Sequence, residues 1–92
     1  MDLLTEEALA AELVTVPDWA HVGDSITRTV TRADFSAAIL YVGAVAYLAE
    51  EASHHPDIVI QWNRVTLTLS THSAGGLTGN DFGLARAIDA LT

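Results

Sequence analysis

The sequence predicts an α+β fold in which helices pack on one face of an antiparallel sheet. Segments 25–31, 58–62 and 65–69 alternate apolar with polar or β-branched residues at the period of two that is typical of strands. Helical segments precede, separate and follow them, which gives the order α, β, α, β, β, α, with space for another short strand before residue 25. Placing the helices on one face of the sheet is the economical way to bury the apolar residues of both.

Residues 5–14 form the first predicted helix. Thr5 is a suitable N-cap residue, and the two glutamates that follow it suit the positive end of the helix dipole. Leu9 and Leu13 lie one turn apart and mark the apolar face of this helix. A loop begins near Pro17 and leads to the first of the predicted strands.

A long helix is predicted from its N-cap residue Asp34 to about Ser53, because this segment is rich in good helix formers. Its apolar residues lie almost all round the helix, whereas a helix on the surface of a small monomer normally has a polar face. Two explanations remain, a central helix buried on all sides or self-association, and we favour self-association for so short a chain. The longest uncharged run, 35–49, has 15 residues and falls short of the roughly 20 that cross a bilayer, so no membrane span is expected.

The remaining two fifths of the chain predict a hairpin and a final helix. We expect Pro56 to end the long helix, because the residue before a proline is driven out of the helical region. The two alternating segments that follow meet at 61–64, a stretch without glycine or proline that fits a tight polar turn. After a flexible loop with two glycines, Thr78 and Asp81 resemble a capping box for a helix that continues to Leu91.

Length and composition limit the class of protein. The 92 residues, 50% of them apolar, make one domain over 1–92 with a substantial core and exclude a disordered chain. The absence of cysteine excludes disulfide scaffolds, cysteine zinc sites and thiol catalysis. A formal charge of −8, with arginine as the only strongly basic residue type, argues against nucleic acid binding, which requires clustered cations. Because the N-terminus lacks the basic segment that begins a secretory signal, we expect a cytoplasmic protein.

Three histidines occupy the ends of predicted elements, where functional groups are commonly displayed. His54 and His55 end the long helix, and His72 follows the last strand. Glu50 and Glu51 lie one helical turn before the histidine pair, and a helix C-terminus also favours imidazolium. Free imidazole, with a pKa of about 6.5, both donates and accepts protons at cellular pH. Three converging histidines therefore suit general acid–base catalysis.

Other interpretations of these residues stay open at this point. A histidine at a helix C-terminus often serves only the helix dipole, and His72 also fits an ordinary polar loop. A zinc site made of the three histidines is disfavoured, since adjacent residues point apart and their spacing along the chain matches no standard motif. His21 is expected to be a solvated loop residue, whereas Trp19, Trp62 and Phe82 are expected in the core.

Four short motifs form a joint pattern along the second half of the chain. They are Glu50-Glu51-Ala52-Ser53-His54-His55-Pro56-Asp57, Trp62-Asn63-Arg64-Val65, Leu69-Ser70-Thr71-His72 and Gly76-Leu77-Thr78-Gly79-Asn80-Asp81. A glutamate precedes the His-His-Pro by one helical turn, a Thr-His ends a strand, and a Gly-Leu-Thr with a later aspartate follows. Together these motifs resemble the pterin-4a-carbinolamine dehydratase family, and the resemblance extends over essentially the whole chain.

The resemblance implies a four-stranded antiparallel sheet with helices on one face, assembled as a homodimer or homotetramer. It implies a hydro-lyase that dehydrates 4a-hydroxytetrahydropterin to quinonoid dihydropterin, recycles a tetrahydrobiopterin-type cofactor, and needs no metal or cofactor of its own. His54, His55 and His72 would be the catalytic histidines, one acting as acid toward the 4a-hydroxyl and another taking a ring proton. The substrate site would also involve Glu50, Pro56, Thr71, Ser73, Ala74 and Asp81. Glu50 and Asp81 would orient or support the histidines.

Three positions depart from the pattern of animal members of that family. Ser53 stands where those members tend to have aspartate, Asn80 where they have arginine, and Trp62 where they often have tyrosine. The first two changes remove one acidic and one cationic neighbour of the site and so bear on rate and substrate range. Animal members also act as dimerisation partners of a homeodomain transcription factor, and some relatives have assembly roles. The alternative function is therefore a non-catalytic module for protein binding, dimerisation or assembly.

Overall fold

The structure, a computed structural model, describes residues 2–91 and confirms the α+β fold. Its helices are α1 (Glu6–Thr15), α2 (Phe35–Ala52) and α3 (Gly79–Asp89), and its strands are β1 (Ala20–Val22), β2 (Ser25–Thr31), β3 (Asp57–Gln61) and β4 (Arg64–Leu69). A short 3₁₀ turn, His72–Ala74, follows β4. The strands form one antiparallel sheet in the order β1-β2-β4-β3, and β1 is the additional strand expected before residue 25.

The core lies between one face of this sheet and the helices. In the pairing of β2 with β4, Ile26 lies opposite Leu69 and Val30 opposite Val65, and all four side chains are buried. The opposite face is polar, and hydroxyl groups on it pair across the same two strands: Thr27 with Thr68, and Thr29 with Thr66. The alternation in the sequence therefore separates a buried apolar face from a threonine-rich outer face.

Side chains cap the N-terminal ends of the helices as predicted. The Thr5 hydroxyl accepts the backbone N–H of Ala8 at 3.1 Å at the start of α1. At the start of α3 the capping box between Thr78 and Asp81 is complete, with each side chain accepting a backbone N–H of the other residue. The helix then ends at Asp89, slightly earlier than predicted.

The hairpin between β3 and β4 turns tightly, as predicted, but its turn contradicts the expected burial of one aromatic residue. Gln61 pairs with Arg64, so Trp62 and Asn63 alone form the turn. Trp62 has a φ of 54° and is 69% exposed, so its predicted place in the core is wrong. The Asn63 side chain donates to the Arg32 carbonyl at 3.0 Å and secures the turn against the end of β2. Alternation along a strand determines which of its side chains are buried. Trp62 lies in the turn, beyond the end of the strand, where this pattern no longer applies.

The other two aromatic residues lie in the core as expected. Trp19 is 5% exposed and Phe82 is fully buried. The indole N–H of Trp19 donates to the carboxylate of Asp89 at 2.8 Å, and Arg28 forms an ion pair with the same carboxylate. These contacts attach the loop before β1 and the centre of β2 to the end of α3.

Helix α2 divides its apolar residues between the core and the surface. Its buried face consists of Ala38, Tyr41, Val45 and Ala49. Its outer face is exposed and is also apolar, with Phe35, Ile39, Leu40 and Tyr47 between 44% and 76% accessible. A helix buried on all sides by its own domain is therefore excluded, and the outer apolar face remains open in the single chain.

By length and composition alone, α2 is apolar enough to cross a membrane. The uncharged run 35–49 is too short to cross a membrane, as the sequence predicts. The helix itself is longer, because it continues through Glu50 and Glu51. Its inner face nevertheless packs on the core, as the central helices of soluble domains do.

The C-terminal end of α2 lies at Ser53, before the proline that was expected to cause it. Ser53 adopts the left-handed conformation, with φ 50° and ψ 40°. Its N–H bonds to the Glu50 carbonyl at 3.2 Å, and the N–H of His54 bonds to the Ala49 carbonyl at 3.1 Å. These two bonds are those of a Schellman motif, so the serine ends the helix and Pro56 only follows it.

The Tyr41 hydroxyl on the inner face of α2 is buried and has no hydrogen-bond partner among residues 2–91. The Arg32 guanidinium lies over the Tyr41 ring, 5.4 Å from its centre. Burial raises the pKa of the Tyr41 phenol above its usual value of 10.0, because the charged phenolate is poorly solvated there. While it is neutral, an unpaired hydroxyl at this position is unfavourable for stability.

We expect Tyr41→Phe to raise the free energy of unfolding at pH 7 by about 1 kcal/mol, since it removes an unpaired buried hydroxyl. In the parent protein the raised pKa means that the folded state retains the phenol proton more strongly than the unfolded state. The ionisation of this group therefore adds no pH dependence to the stability below about pH 10, and the stability falls as the pH rises from there through the raised pKa. Urea titrations at pH 7 and at alkaline pH measure both effects.

Tyr47→Phe is the matched control, because Tyr47 lies on the same helix but is 66% exposed. It should leave the stability at pH 7 and the alkaline decline unchanged. An alkaline decline of equal size in the parent and in Tyr41→Phe would contradict the assignment to Tyr41.

We expect Ser53→Gly to stabilise the fold by about 0.5–1 kcal/mol, because glycine adopts the left-handed conformation without the steric cost of a Cβ. Ser36→Gly is the control: Ser36 is exposed in the first turn of the same helix, where glycine should instead be destabilising. Denaturation midpoints compare the two variants, and a loss of stability in both would contradict the role of Ser53 in ending α2.

Candidate active site

The three predicted histidines border one hollow of about 220 Å³. Its lining residues are Ser53, His54, His55, Ser70, Thr71, His72 and Ser73. It lies between the segment that follows α2 and the segment that follows β4. The structure thus brings His72 close to His54 and His55, although it is distant from them in sequence.

The register of the β3–β4 pair explains why these segments meet. Asp57, at the start of β3, pairs with Thr68, near the end of β4. The residues just before β3 therefore lie beside those just after β4. A bridge between Thr71 and Gly76 then closes the chain into the turn that carries His72.

The His54 side chain contacts Asp81 in the first turn of α3. Its side chain is 12% exposed, and Nε2 lies 2.5 Å from Oδ1 of the fully buried Asp81. The other carboxylate oxygen, Oδ2, accepts the Thr71 hydroxyl at 2.8 Å and the backbone N–H of Thr78 at 2.9 Å. Asp81 thus combines the helix-start role expected of it with a direct contact to a site histidine.

His55 and His72 are open to solvent. The His55 side chain is 63% exposed, and its Nε2 lies 3.2 Å from a carboxylate oxygen of Glu50. Both partners are largely exposed, so water screens this contact and weakens it. The expected pairing of Glu50 with His54 at four residues is absent, because α2 has already ended before His54 and Glu50 contacts His55 instead. His72 makes no side-chain hydrogen bond within residues 2–91.

The remaining predicted site residues divide into three groups. Thr71 and Ser73 line the hollow, although the Thr71 hydroxyl is committed to Asp81 and to Thr78. Asp81 lies beneath the hollow in contact with His54. Three further residues are outside the lining: Glu50, Pro56 and Ala74.

Sequence reasoning missed three residues of this region. Ser53 and Ser70 line the hollow, and Thr78 supports Asp81 from its N-cap position. Ser53 departs from the family motif, and nothing in its sequence context indicates a left-handed residue. For Thr78, the capping-box pattern was a usable signal, because it placed this residue next to Asp81.

A second hollow, of about 250 Å³, has Gly75 and Gly76 in its lining. Leucines of the N-terminal segment, of α1 and of the segment before α3 supply much of its lining. His21 reaches it from strand β1, so its predicted place in a loop is wrong, although it is exposed as expected. This larger hollow contains one histidine, so the smaller one is the stronger candidate for proton-transfer chemistry.

The arrangement at the smaller hollow suits proton transfer. One imidazole contacts a buried carboxylate, and the two others are exposed to solvent. Imidazoles in these settings serve as general acids and bases at neutral pH. Within residues 2–91, no group of three or more histidine, cysteine, aspartate or glutamate side chains is arranged to hold a metal ion.

Two bacterial proteins are similar to this chain over nearly its whole length. A protein of Nocardia farcinica, provisionally named a pterin-4-alpha-carbinolamine dehydratase, is 58% identical over 90 residues, which cover 98% of this chain and 95% of that protein. A protein of Chloroflexus aurantiacus with the same provisional name is 53% identical, over 99% of this chain and 98% of that one.

Two solved structures share the fold. The crystal structure of a transcriptional coactivator/pterin dehydratase from Brucella melitensis superposes with a TM-score of 0.92 at 36% identity, covering 98% of each chain. A pterin dehydratase-like protein identified as a RuBisCO assembly factor in the alpha-carboxysome has a TM-score of 0.68 at 23% identity, covering 80% of this chain and 88% of that one. The second likeness concerns the fold alone.

The sequence model of the pterin 4 alpha carbinolamine dehydratase family matches residues 2–91, nearly the full length of the chain. This match, together with the identities above and the shared fold, agrees with the resemblance that the motifs indicated. The chain belongs to the pterin 4 alpha carbinolamine dehydratase family.

Proposed function

We propose that the protein is a hydro-lyase that dehydrates pterin-4a-carbinolamine, 4a-hydroxytetrahydropterin, to quinonoid dihydropterin. The observation that carries the proposal is the convergence of His54, His55 and His72 on one hollow in a member of this family. Relatives named for this activity match nearly the whole chain, which also supports the proposal. The reaction would serve the recycling of a tetrahydrobiopterin-type cofactor, in the cytoplasm.

The reaction needs two proton transfers and no change of oxidation state. A general acid protonates the 4a-hydroxyl oxygen, the carbon–oxygen bond breaks, and water leaves. A general base removes a proton from a ring nitrogen, so that the electron pair left there forms the new double bond to the ring carbon. Imidazole performs either step, and no metal or cofactor enters this scheme.

The size and exposure of the hollow fit a small, flat substrate. Its volume of about 220 Å³ is below the roughly 300–1,000 Å³ of pockets that enclose drug-sized ligands. Beside the histidines, Ser73 offers a hydroxyl group to the edge of a heterocycle. The Ser70 hydroxyl donates to the Asp24 carbonyl at 2.7 Å, so it offers only its oxygen, as an acceptor. A bicyclic pterin would enter with one side left in contact with solvent.

Replacing the histidines tests the proposal. We expect His54→Ala, His55→Ala and His72→Ala each to slow dehydration, and the most important of them to cost about 10²- to 10⁴-fold, the usual contribution of one general acid or base. Stopped-flow absorbance of enzymatically generated 4a-hydroxytetrahydropterin measures the rate above the spontaneous reaction.

His21→Ala is the matched control, because His21 is an exposed histidine that borders only the other hollow. It should retain the parent rate. A triple replacement of His54, His55 and His72 that keeps the parent rate would refute histidine catalysis, and a parent protein without turnover would refute the dehydratase assignment.

The outer face of α2 favours self-association as a homodimer or homotetramer. Phe35, Ile39, Leu40 and Tyr47 together expose more apolar surface than isolated surface residues do. A second copy of the chain would remove this surface from water. The same face is the observation that favours the second candidate function, a non-catalytic protein-binding or assembly module.

A charge on this face should prevent association. We expect Leu40→Glu to weaken self-association by about tenfold or more, because the interface would have to bury an unpaired carboxylate. Light scattering coupled to size exclusion, over a range of concentrations, measures the mass of the particle. Leu40 is 76% exposed, so the substitution should leave the fold of the single chain intact.

Val14→Glu is the control, since Val14 is 79% exposed but belongs to α1 and not to α2. It should leave the mass unchanged. A parent protein that stays a single chain at all concentrations would contradict self-association. In combination with absent turnover, that result would favour the binding-module function with a different protein as partner.

A further inference from the structure

The hydrogen bonds around the buried Asp81 carboxylate determine which nitrogen of His54 carries its proton. Asp81 is fully buried, and its two oxygens contact three elements: the start of α3, the segment after β4 and His54. We infer that this carboxylate fixes neutral His54 with its proton on Nε2, so that Nδ1 is the atom that exchanges protons with the substrate. The role toward substrate rests on the proposed function, whereas the position of the proton does not.

The hydroxyl hydrogens of Thr71 and Thr78 have only one consistent arrangement. The Thr78 oxygen already accepts a backbone N–H of the first turn of α3, from Asn80 at 3.2 Å. The Thr71 oxygen lies 2.8 Å from the Thr78 oxygen and 2.8 Å from Oδ2 of Asp81. A carboxylate only accepts, so the Thr71 hydroxyl donates to Asp81. The Thr78 hydroxyl must then donate to Thr71, and the chain of donors ends at Oδ2.

Oδ1 of Asp81 is left to His54. Oδ2 already accepts two hydrogens, from the Thr71 hydroxyl and from the Thr78 backbone N–H. A single proton lies between Oδ1 and Nε2, and because a carboxylic acid is the stronger acid of the two groups, that proton belongs to the ring nitrogen. Neutral imidazole carries only one N–H, so Nδ1 of His54 is then the acceptor.

The other charged and titratable groups near His54 do not compete for this proton. Glu50, at the end of α2, contacts His55, and that pair is exposed. His72, on the turn after β4, shares the hollow but is solvated. Asp81 is thus the one carboxylate within residues 2–91 that is bonded to His54, and it is fully shielded from water.

Thr71 and Asp81 are therefore positioning residues for His54. Thr71 lines the hollow as expected of a substrate-site residue, and its hydroxyl donates to Asp81. If Thr71 only filled space, the protein would tolerate valine at this position, because valine has nearly the same shape as threonine. If the Thr71 hydroxyl orients the Asp81 carboxylate, only serine, which also has a hydroxyl, would replace threonine without loss.

Nitrogen-15 NMR of the imidazole rings in uniformly labelled protein reads the tautomer directly, with the His54 signals assigned by their loss in His54→Gln. In the parent protein above neutral pH we expect a protonated Nε2 and an unprotonated Nδ1. In Asp81→Asn, the amide oxygen should take the place of Oδ2, which accepts two donors, so the amide NH₂ faces Nε2 of His54. The tautomer should then invert to a protonated Nδ1.

Rates measured on the same samples test the role toward substrate. Asp81→Asn should lower the dehydration rate by about 10²-fold or more, as expected for a general acid or base in the wrong protonation state. Thr71→Val should lower the rate and broaden the His54 signals, and Thr71→Ser should restore both. Thr66→Val is the matched control, because it removes one hydroxyl of a similar threonine pair on the outer face of the sheet.

Two results would overturn the inference: a protonated Nδ1 in the parent protein, or an unchanged tautomer in folded Asp81→Asn. The measurement on the parent protein needs no variant, so it decides the tautomer even where loss of the α3 cap prevents Asp81→Asn from folding. A parent protein with a protonated Nε2 but no turnover would support the proton position and refute only the proposed function.

Discussion

The carboxylate of Asp81 joins three parts of the chain that would otherwise be independent. It caps α3, accepts the Thr71 hydroxyl after β4 and contacts His54 after α2, all without access to water. Burying a charge in so small a domain is costly unless donors surround it, and here two hydrogen bonds, a histidine and the positive end of α3 do so. The start of α3 and the geometry of the histidine site therefore share one group.

Local signals in the sequence predicted most of the elements. Strand β2 has the predicted bounds, and Thr5, Asp34 and Thr78 cap the helices that they were expected to cap. Predictions were wrong where a tertiary contact or an unusual backbone angle decides the outcome. Ser53 ends α2 by adopting a left-handed conformation, and Trp62 occupies a turn position that usually favours glycine or asparagine. No local pattern distinguishes a serine or tryptophan that will adopt such an angle.

In the candidate site, too, local sequence signals predict some features and tertiary contacts decide the others. The positions of His54, His55 and His72 at element ends could be read from the sequence, because strand and helix periodicity locate those ends. Their partners could not, since the contact of His54 with Asp81 depends on how α3 packs across the domain. Two adjacent histidines consequently have different surroundings, one nearly enclosed and the other 63% exposed. Adjacent positions in the chain thus provide two chemically distinct imidazoles.

The exposed turn at Trp62 also affects how this protein can be observed. The chain has two tryptophans, one 5% and the other 69% accessible. Indole emission shifts to longer wavelength in water, so the change in fluorescence on denaturation should come almost entirely from the enclosed ring at Trp19. The ring at the hairpin tip is already hydrated in the folded chain. Its emission should instead respond to anything that covers the tip, which gives one molecule separate optical reporters of folding and of surface contact.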